Sequence, residues 1–378
     1  MPRRPVQFDL RSRTVLLGVA GSRAQGLASS GSDVDLRGVA IAPPDNLLGI
    51  EPLFEQADSA GEMDVFADLL TADETLVAQT EKLEGSVYAL AKFARLCADC
   101  NPNMLELLFC RDEEVRLCTP VGERLRAARD QFLSQKAAHT FTGYALAQLK
   151  RIQGHRHWLL SPPAGAPTRA QFGLPERTLL PRDQLLAAEA EVRKKLDGWS
   201  PDWGALPASE IQRLEDRLAE FMAEVMQASD TRWHLAARVV GLDDNLIRAM
   251  DRERRYRAAQ RGWEQYRTWK RQRNPARAAL EAKHGFDTKH GAHLVRLLRM
   301  GQEIVETGEV HVWRGGRDAE ELQAIRAGAW TYDQLVEHAQ QGAASLRRAL
   351  SDGRCSLPPK PDHAAIHALV VELVRTML

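Results

Sequence analysis

The sequence predicts an α+β domain followed by a mostly α-helical C-terminal domain. Two short apolar runs near the start, "RTVLLGVA" at 13–20 and "DVDLRGVAI" at 33–41, have the length and punctuation of buried strands. A third strand start, at 85–98, runs straight into an amphipathic segment. Further along, apolar residues recur at helical spacing and strand-like runs become rare.

Each element has a local reason. "SRAQGLA" after the first strand reads as a turn or short helix, and "APPD" with Asn46 closes the second strand in a loop. In "GSVYALAKFARLCA" the helical part places Leu90, Phe93, Leu96 and Cys97 on its apolar positions. "NPNMLELLFC" starts as a turn and continues as a helix. Residues 121–160 are helical by period. Five prolines in 161–181 make that stretch a loop or linker. Helices are expected at 183–196, 208–228, 234–268, 288–306 and 362–377, and "TGEVHVWR" at 307–314 reads as a short strand. The expected division is a domain at 1–125 and a helical domain at 126–378, with the Pro-rich loop at 161–182.

Composition excludes some classes. No apolar run approaches a membrane span, and "MPRRPVQFDLRSR" lacks the apolar core of a secretory signal, so a cytoplasmic protein with no membrane partner is expected. Five cysteines, an odd number, argue against a disulfide framework. The spacing of Cys97, Cys100, Cys110 and Cys118 superficially suits zinc, but their apolar surroundings read as packing. The formal net charge is zero, yet 252–299 holds 14 Lys/Arg against 4 Asp/Glu. Such a segment is either a polyanion-facing surface or a solvated arginine-rich helix face. Tyr256, Trp263, Tyr266 and Trp269 lie within it, at spacings that serve either base stacking or helix packing.

The chemistry concentrates in "GVAGSRAQGLASSGSDVDLRGV" at 18–39. Asp33 and Asp35 stand two apart at a predicted strand, so both carboxylates project from one face. Two like charges that close raise each other's pKa, and a cation resolves the conflict. Hard oxygen ligands suit Mg²⁺, which uses one or two carboxylates plus substrate phosphates. Gly21 and Ser22 end the preceding strand, where glycine admits close approach and the amides and hydroxyl face phosphate oxygens. Aspartates also favour loop starts, but the "LRGVAIA" that follows is strand-like. Arg23 is a further candidate for phosphate, whereas Arg37 is read as fixing the strand through a buried carboxylate.

This block closely resembles the signature of the DNA polymerase beta-like nucleotidyltransferase superfamily: hydrophobic, Gly, Ser, a gap, then Asp-x-Asp. "SDVDLRGVAIAPP", "VYALAKFARLCADCNPNMLELLF" and "FDTKHGAHLVRLLRMGQEIVETGEVHVWR" resemble the predicted-nucleotidyltransferase group that includes RNA-ligase-associated proteins. The resemblance implies a small mixed sheet with helices and transfer of a nucleoside monophosphate (NMP) from a nucleoside triphosphate (NTP), ATP among the candidates, with Mg²⁺ or Mn²⁺. It implies metal binding by Asp33, Asp35 and a third carboxylate that also activates the acceptor hydroxyl. Four positions before Tyr88 the pattern places that carboxylate at Glu84, where the superfamily usually has aspartate; Asp64 and Asp68 compete. In "FDTKHGAHLVRLLRMG" a helix from Thr288 puts Lys289, His293 and Arg296 on one face. Lys289 and His293 are expected to bind nucleotide; the alternative for the histidines is helix packing. The expected acceptor is RNA, with tRNA among the candidates, held by 252–299. Protein adenylylation and an inactive nucleotide- or RNA-binding protein are the alternatives.

Overall fold

In β1 (Thr14–Val19), which follows the short helix α1 (Leu10–Arg13), every residue is buried, so its sequence is a continuous apolar run rather than an alternating one. The computed structural model describes residues 6, 8–28, 32–48, 53–58, 61–80, 83–177, 183, 186–187, 190–191 and 244–378. After β1 come α2 (Gly21–Ala24), β2 (Asp35–Ala40), α3 (Pro44–Leu48), β3 (Gln56–Ala57), α4 (Ala72–Thr80) and β4 (Glu84–Ala89). Then follow α5 (Leu90–Ala98), α6 (Pro102–Phe109), β5 (Val115–Cys118), α7 (Pro120–Ala127) and α8 (Lys136–Leu160). The five strands form one sheet in the order β3-β4-β2-β1-β5. It is mixed: β2 and β4 run parallel and the other pairs antiparallel.

The "NPN" turn has a definite job. Asn101 caps α6, its side chain accepting from the Asn103 amide at 3.0 Å, and Pro102 takes the first helical position, where no amide hydrogen is missed. Thr119 and Pro120 open α7 in the same way.

The C-terminal part is helical: α9 (Asp244–Gln272), α10 (Pro275–His284), α11 (Thr288–Thr307), α12 (Ala319–Arg326), α13 (Tyr332–Ser351) and α14 (His363–Met377). The expected helices at 288–306 and 362–377 are α11 and α14, and α9 overlaps the one expected at 234–268. Those expected at 183–196 and 208–228 lie outside the described residues, apart from five positions in the first. The strand expected at 307–314 does not form. Val310 and Val312 are buried as a strand pattern demands, but the segment joins no sheet, and the Arg314 amide donates instead to the Gln25 carbonyl at 2.9 Å.

Two compact units result, one from residues 1–160 and 274–378, the other from 161–273. In the first, α11 packs along α8 and against α13. Gly301 permits the close approach: a Cβ there would stand 2.9 Å from the Phe141 Cβ. One buried cluster joins Val15, Leu16 and Val39 of the sheet to Phe93, Leu105, Phe141 and, from α11, Leu297 and Ile304. Leu17, Val19, Leu36 and Val87 form a second cluster with Met63 and Phe66. In the other unit, Phe172 meets Tyr256 edge to face at 5.6 Å, and Arg169 pairs with the buried Glu253. Trp263, Tyr266 and Trp269 share a face of α9, with ring centroids 5.6 and 5.9 Å apart.

Cys97, Cys100 and Cys110 are buried singly in the first unit, and burial pushes all three thiols up, Cys110 to about 11. They do not gather into a metal site with Cys118. Among the described residues, no helix is long and apolar enough to cross a membrane.

Candidate active site

The end of β1 and the start of β2 are locked together. The Ala20 amide donates to the Asp35 carbonyl at 2.8 Å. Gly21 then turns with φ +62°, a region that disfavours side chains, and a Cβ there would stand 2.9 Å from Asp35 Oδ2. Glycine is therefore required twice over, by its backbone and by the carboxylate leaning on it. Burial pushes the Asp35 carboxyl above its ordinary value; Arg37 and Lys289 pull the other way, and Asp33 adds to the rise. Asp33, two residues before the strand on the far side of Val34, is exposed.

These residues line a cavity of about 690 Å³ in the first unit, within the range of small-molecule sites. Of the residues singled out from sequence, Gly21, Ser22, Asp33, Asp35, Lys289 and His293 meet there. Glu84 does not line it, but stands beside it in the sheet: it is the direct register partner of Asp35 on the parallel neighbour β4, so the two side chains leave the same face. Asp64 and Asp68 lie in a 3₁₀ turn, where Asp68 is paired with Arg11. Arg23 turns away from the cavity, donating to Asp73 at 2.9 Å and to the Ser32 carbonyl at 3.1 Å. Arg37 lines the cavity and donates to the Asn103 carbonyl at 2.8 Å.

Beneath the cavity runs a buried polar chain. Gln25 of the turn after α2 donates to Glu106 Oε2 at 3.1 Å, and Arg296 donates to Glu106 Oε1 at 2.6 Å and to His293 Nδ1 at 2.9 Å. Burial alone would raise the Glu106 carboxyl, but Arg296 and Arg37 outweigh it and hold it low. His293 is pushed down to about 3 by burial and then by Arg296. Its imidazole is therefore neutral, and because Nδ1 accepts from a guanidinium, the ring proton sits on Nε2. Arg296, expected on the same helix face as Lys289 and His293, does line the cavity, but as the buried partner of Glu106.

Sequence reasoning missed Gln25 and Glu106, and it missed Arg151 and Arg277 in the cavity lining and the buried Asp287 that pairs with Arg277. A signal existed for Glu106: a lone carboxylate within the apolar "MLELLF" run is a charge on a buried helix face, and such charges are nearly always paired. Asp287 stands in the N-cap position before "TKHGAH", where it accepts from the His290 amide at 3.0 Å.

Residues 5–158 match the model of RlaP, described as the RNA repair pathway DNA polymerase beta family. The match covers the segment that carries the sheet, Asp33, Asp35 and Glu84. Comparison with curated proteins and with solved structures returned no match.

Proposed function

From a polymerase-beta-type segment as premise, we propose that this protein transfers an NMP from an NTP to a hydroxyl on RNA and releases pyrophosphate. The observation that carries the reading is the convergence, in one cavity, of the Gly21–Ser22 turn, the Asp33/Asp35 pair and, from α11, Lys289 and His293.

The donor set fits a hard divalent cation. Two carboxylates flank Val34, a third stands one strand over, and burial, with Asp33 adding, holds the half-buried Asp35 above its ordinary pKa. Asp33, Asp35 and Glu84 would hold Mg²⁺ or Mn²⁺. Such an ion, when bound, makes the attacking hydroxyl more acidic and neutralises charge on the leaving pyrophosphate. The chain's own part is positioning. Gly21 and Ser22 receive the triphosphate where no side chain at 21 intrudes. Lys289 supplies a point charge, and His293 offers its Nε2 proton as a fixed neutral donor. Glu84 takes the proton from the acceptor hydroxyl.

The test is incubation with Mg²⁺, cellular RNA and each α-³²P-labelled NTP in turn, beside Asp33→Asn and Asp35→Asn. Label on RNA is expected, reduced by roughly two orders of magnitude or more in either variant, the loss of several kcal/mol of transition-state stabilisation. Near-normal transfer by Asp33→Asn defeats the reading. Label on protein instead of RNA shifts the acceptor to a protein hydroxyl.

A further inference from the structure

The cavity has a second pole. Its lining carries six Lys/Arg side chains against the three carboxylates Asp33, Asp35 and Glu106, and Glu106 is already matched by Arg296. Arg37 and Lys289 act on Asp35, whereas Arg151 and Arg277 line the cavity where α8, α10 and the N-terminus of α11 meet, Arg277 paired with Asp287 and Glu281 and Arg151 with no carboxylate among the described residues. There Asp287, only 1% exposed, accepts from Arg277 Nε at 3.0 Å and from His290 Nδ1 at 2.7 Å. This fixes the His290 ring with Nε2 turned to Arg151 Nη1, 3.3 Å away.

The ligating atoms of His155, Asp287 and His290 lie within 4.8 Å of one another, a spacing that suits a metal ion. Their neighbours argue the opposite. Arg277 occupies the Asp287 carboxylate, Arg151 faces the outer nitrogen of His290, and a cation placed among them would meet two guanidiniums at hydrogen-bond range. His155 is pushed down to about 4, first by burial and then by His290, with Asp287 opposing and Arg277 and Arg151 adding to the fall. Arg151 has no carboxylate partner among the described residues and is exposed to the cavity. Two planar guanidiniums from different helices, Arg151 steadied by the His290 Nε2 that accepts from it, form a fork for a phosphate.

We propose that Arg151 and Arg277, with His290 positioning the Arg151 guanidinium, form a subsite for a phosphate group of the RNA acceptor, apart from the carboxylate pair that receives the triphosphate. The assignment rests on the nucleotidyltransferase reading only for the name of the ligand; the subsite itself is read by binding, without turnover. A short single-stranded RNA with a 3′ fluorophore is titrated by anisotropy at several salt concentrations, and a fluorescent ATP analogue is titrated separately, on the full-length protein. Arg151→Gln is expected to weaken RNA binding about tenfold, the worth of one charge-assisted hydrogen bond, and to lower the salt slope by about 0.7. Arg151→Lys should restore the slope but only part of the affinity. ATP-analogue binding should be unchanged.

Equal loss of the ATP analogue would overturn the proposal, since the fork would then hold the triphosphate. Unchanged RNA binding in Arg151→Gln would overturn it as well. A loss shared by 5′-hydroxyl and 5′-phosphoryl RNA supports a backbone diester as the ligand, and a loss confined to the phosphorylated form supports a terminal phosphate. Asp33→Asn provides the separation from catalysis: it should keep RNA affinity while losing transfer. If no transfer is found in any protein yet Arg151→Gln still loosens RNA, the reaction assignment fails and the subsite stands.

Discussion

At the scale of single residues, the site is a set of decisions about where protons and charges sit. His293 shows this most directly. Its ionisation in the fold is pushed down to about 3 from an ordinary 6.5, so between those values the unfolded chain takes up a proton that the folded chain refuses. The unfolded state then binds more protons, and stability must fall as pH drops through that window. We expect the melting temperature to decline from pH 6.5 towards pH 4 and His293→Gln to flatten the decline. Thermal unfolding across that range checks it; an unchanged slope in the variant would remove His293 as the cause. Legibility at this scale was uneven. Gly21, Ser22, Asp33 and Asp35 sit within fifteen positions of one another, and their spacing alone carries the chemistry. Glu106 and Arg296 are 190 positions apart, so no local pattern ties them.

Helices and strands present a different ledger of successes. The strands beginning at Thr14, Asp35 and Glu84, and helices α5, α6 and α11, follow from period and punctuation. The segment at 309–314 misled because burial of Val310 and Val312 produces a strand-like alternation whether or not a ladder exists; the partner that decides is Gln25, far away in sequence. Helices α12 and α13 drew no attention although Thr331 and Gln334 form a capping box at the start of α13, a signal that was present. The tie between elements is most exposed to test at Glu106 and Arg296, which join α6 to α11 at 3% and 1% exposure. Removing one partner strands the other in the core, so Arg296→Met should cost roughly 3–5 kcal/mol, and the pair replacement Glu106→Leu/Arg296→Met should recover much of that. Urea unfolding of the three proteins measures it; a double variant no better than the single would mean that Gln25 and His293, left behind, set the cost.

For the whole molecule, the decisive fact is that one core is built from two stretches of chain. Residues 1–160 supply the sheet and α8; 274–378 supply α11, whose Leu297 and Ile304 lie in the same buried cluster as Leu16 and Phe141. The family match ends at residue 158, yet the segment it covers leaves a large apolar face that only later helices cover. A fragment of residues 1–160 should therefore be insoluble or loosely packed, and co-expression with 274–378 should restore a cooperative melt. Circular dichroism and dye binding by the isolated fragment give the answer, and a well-packed soluble fragment would show that the sheet and α8 suffice.

The same arrangement has a consequence for biosynthesis. The ribosome releases Leu16 and Phe141 well before it has made Leu294, and at 5–20 residues per second the stretch between α8 and α11 takes on the order of ten seconds to appear. For that interval the nascent sheet waits with its apolar face uncovered. The chain's own later helices cannot yet cover that face, so its shielding in those first moments falls to nascent-chain chaperones.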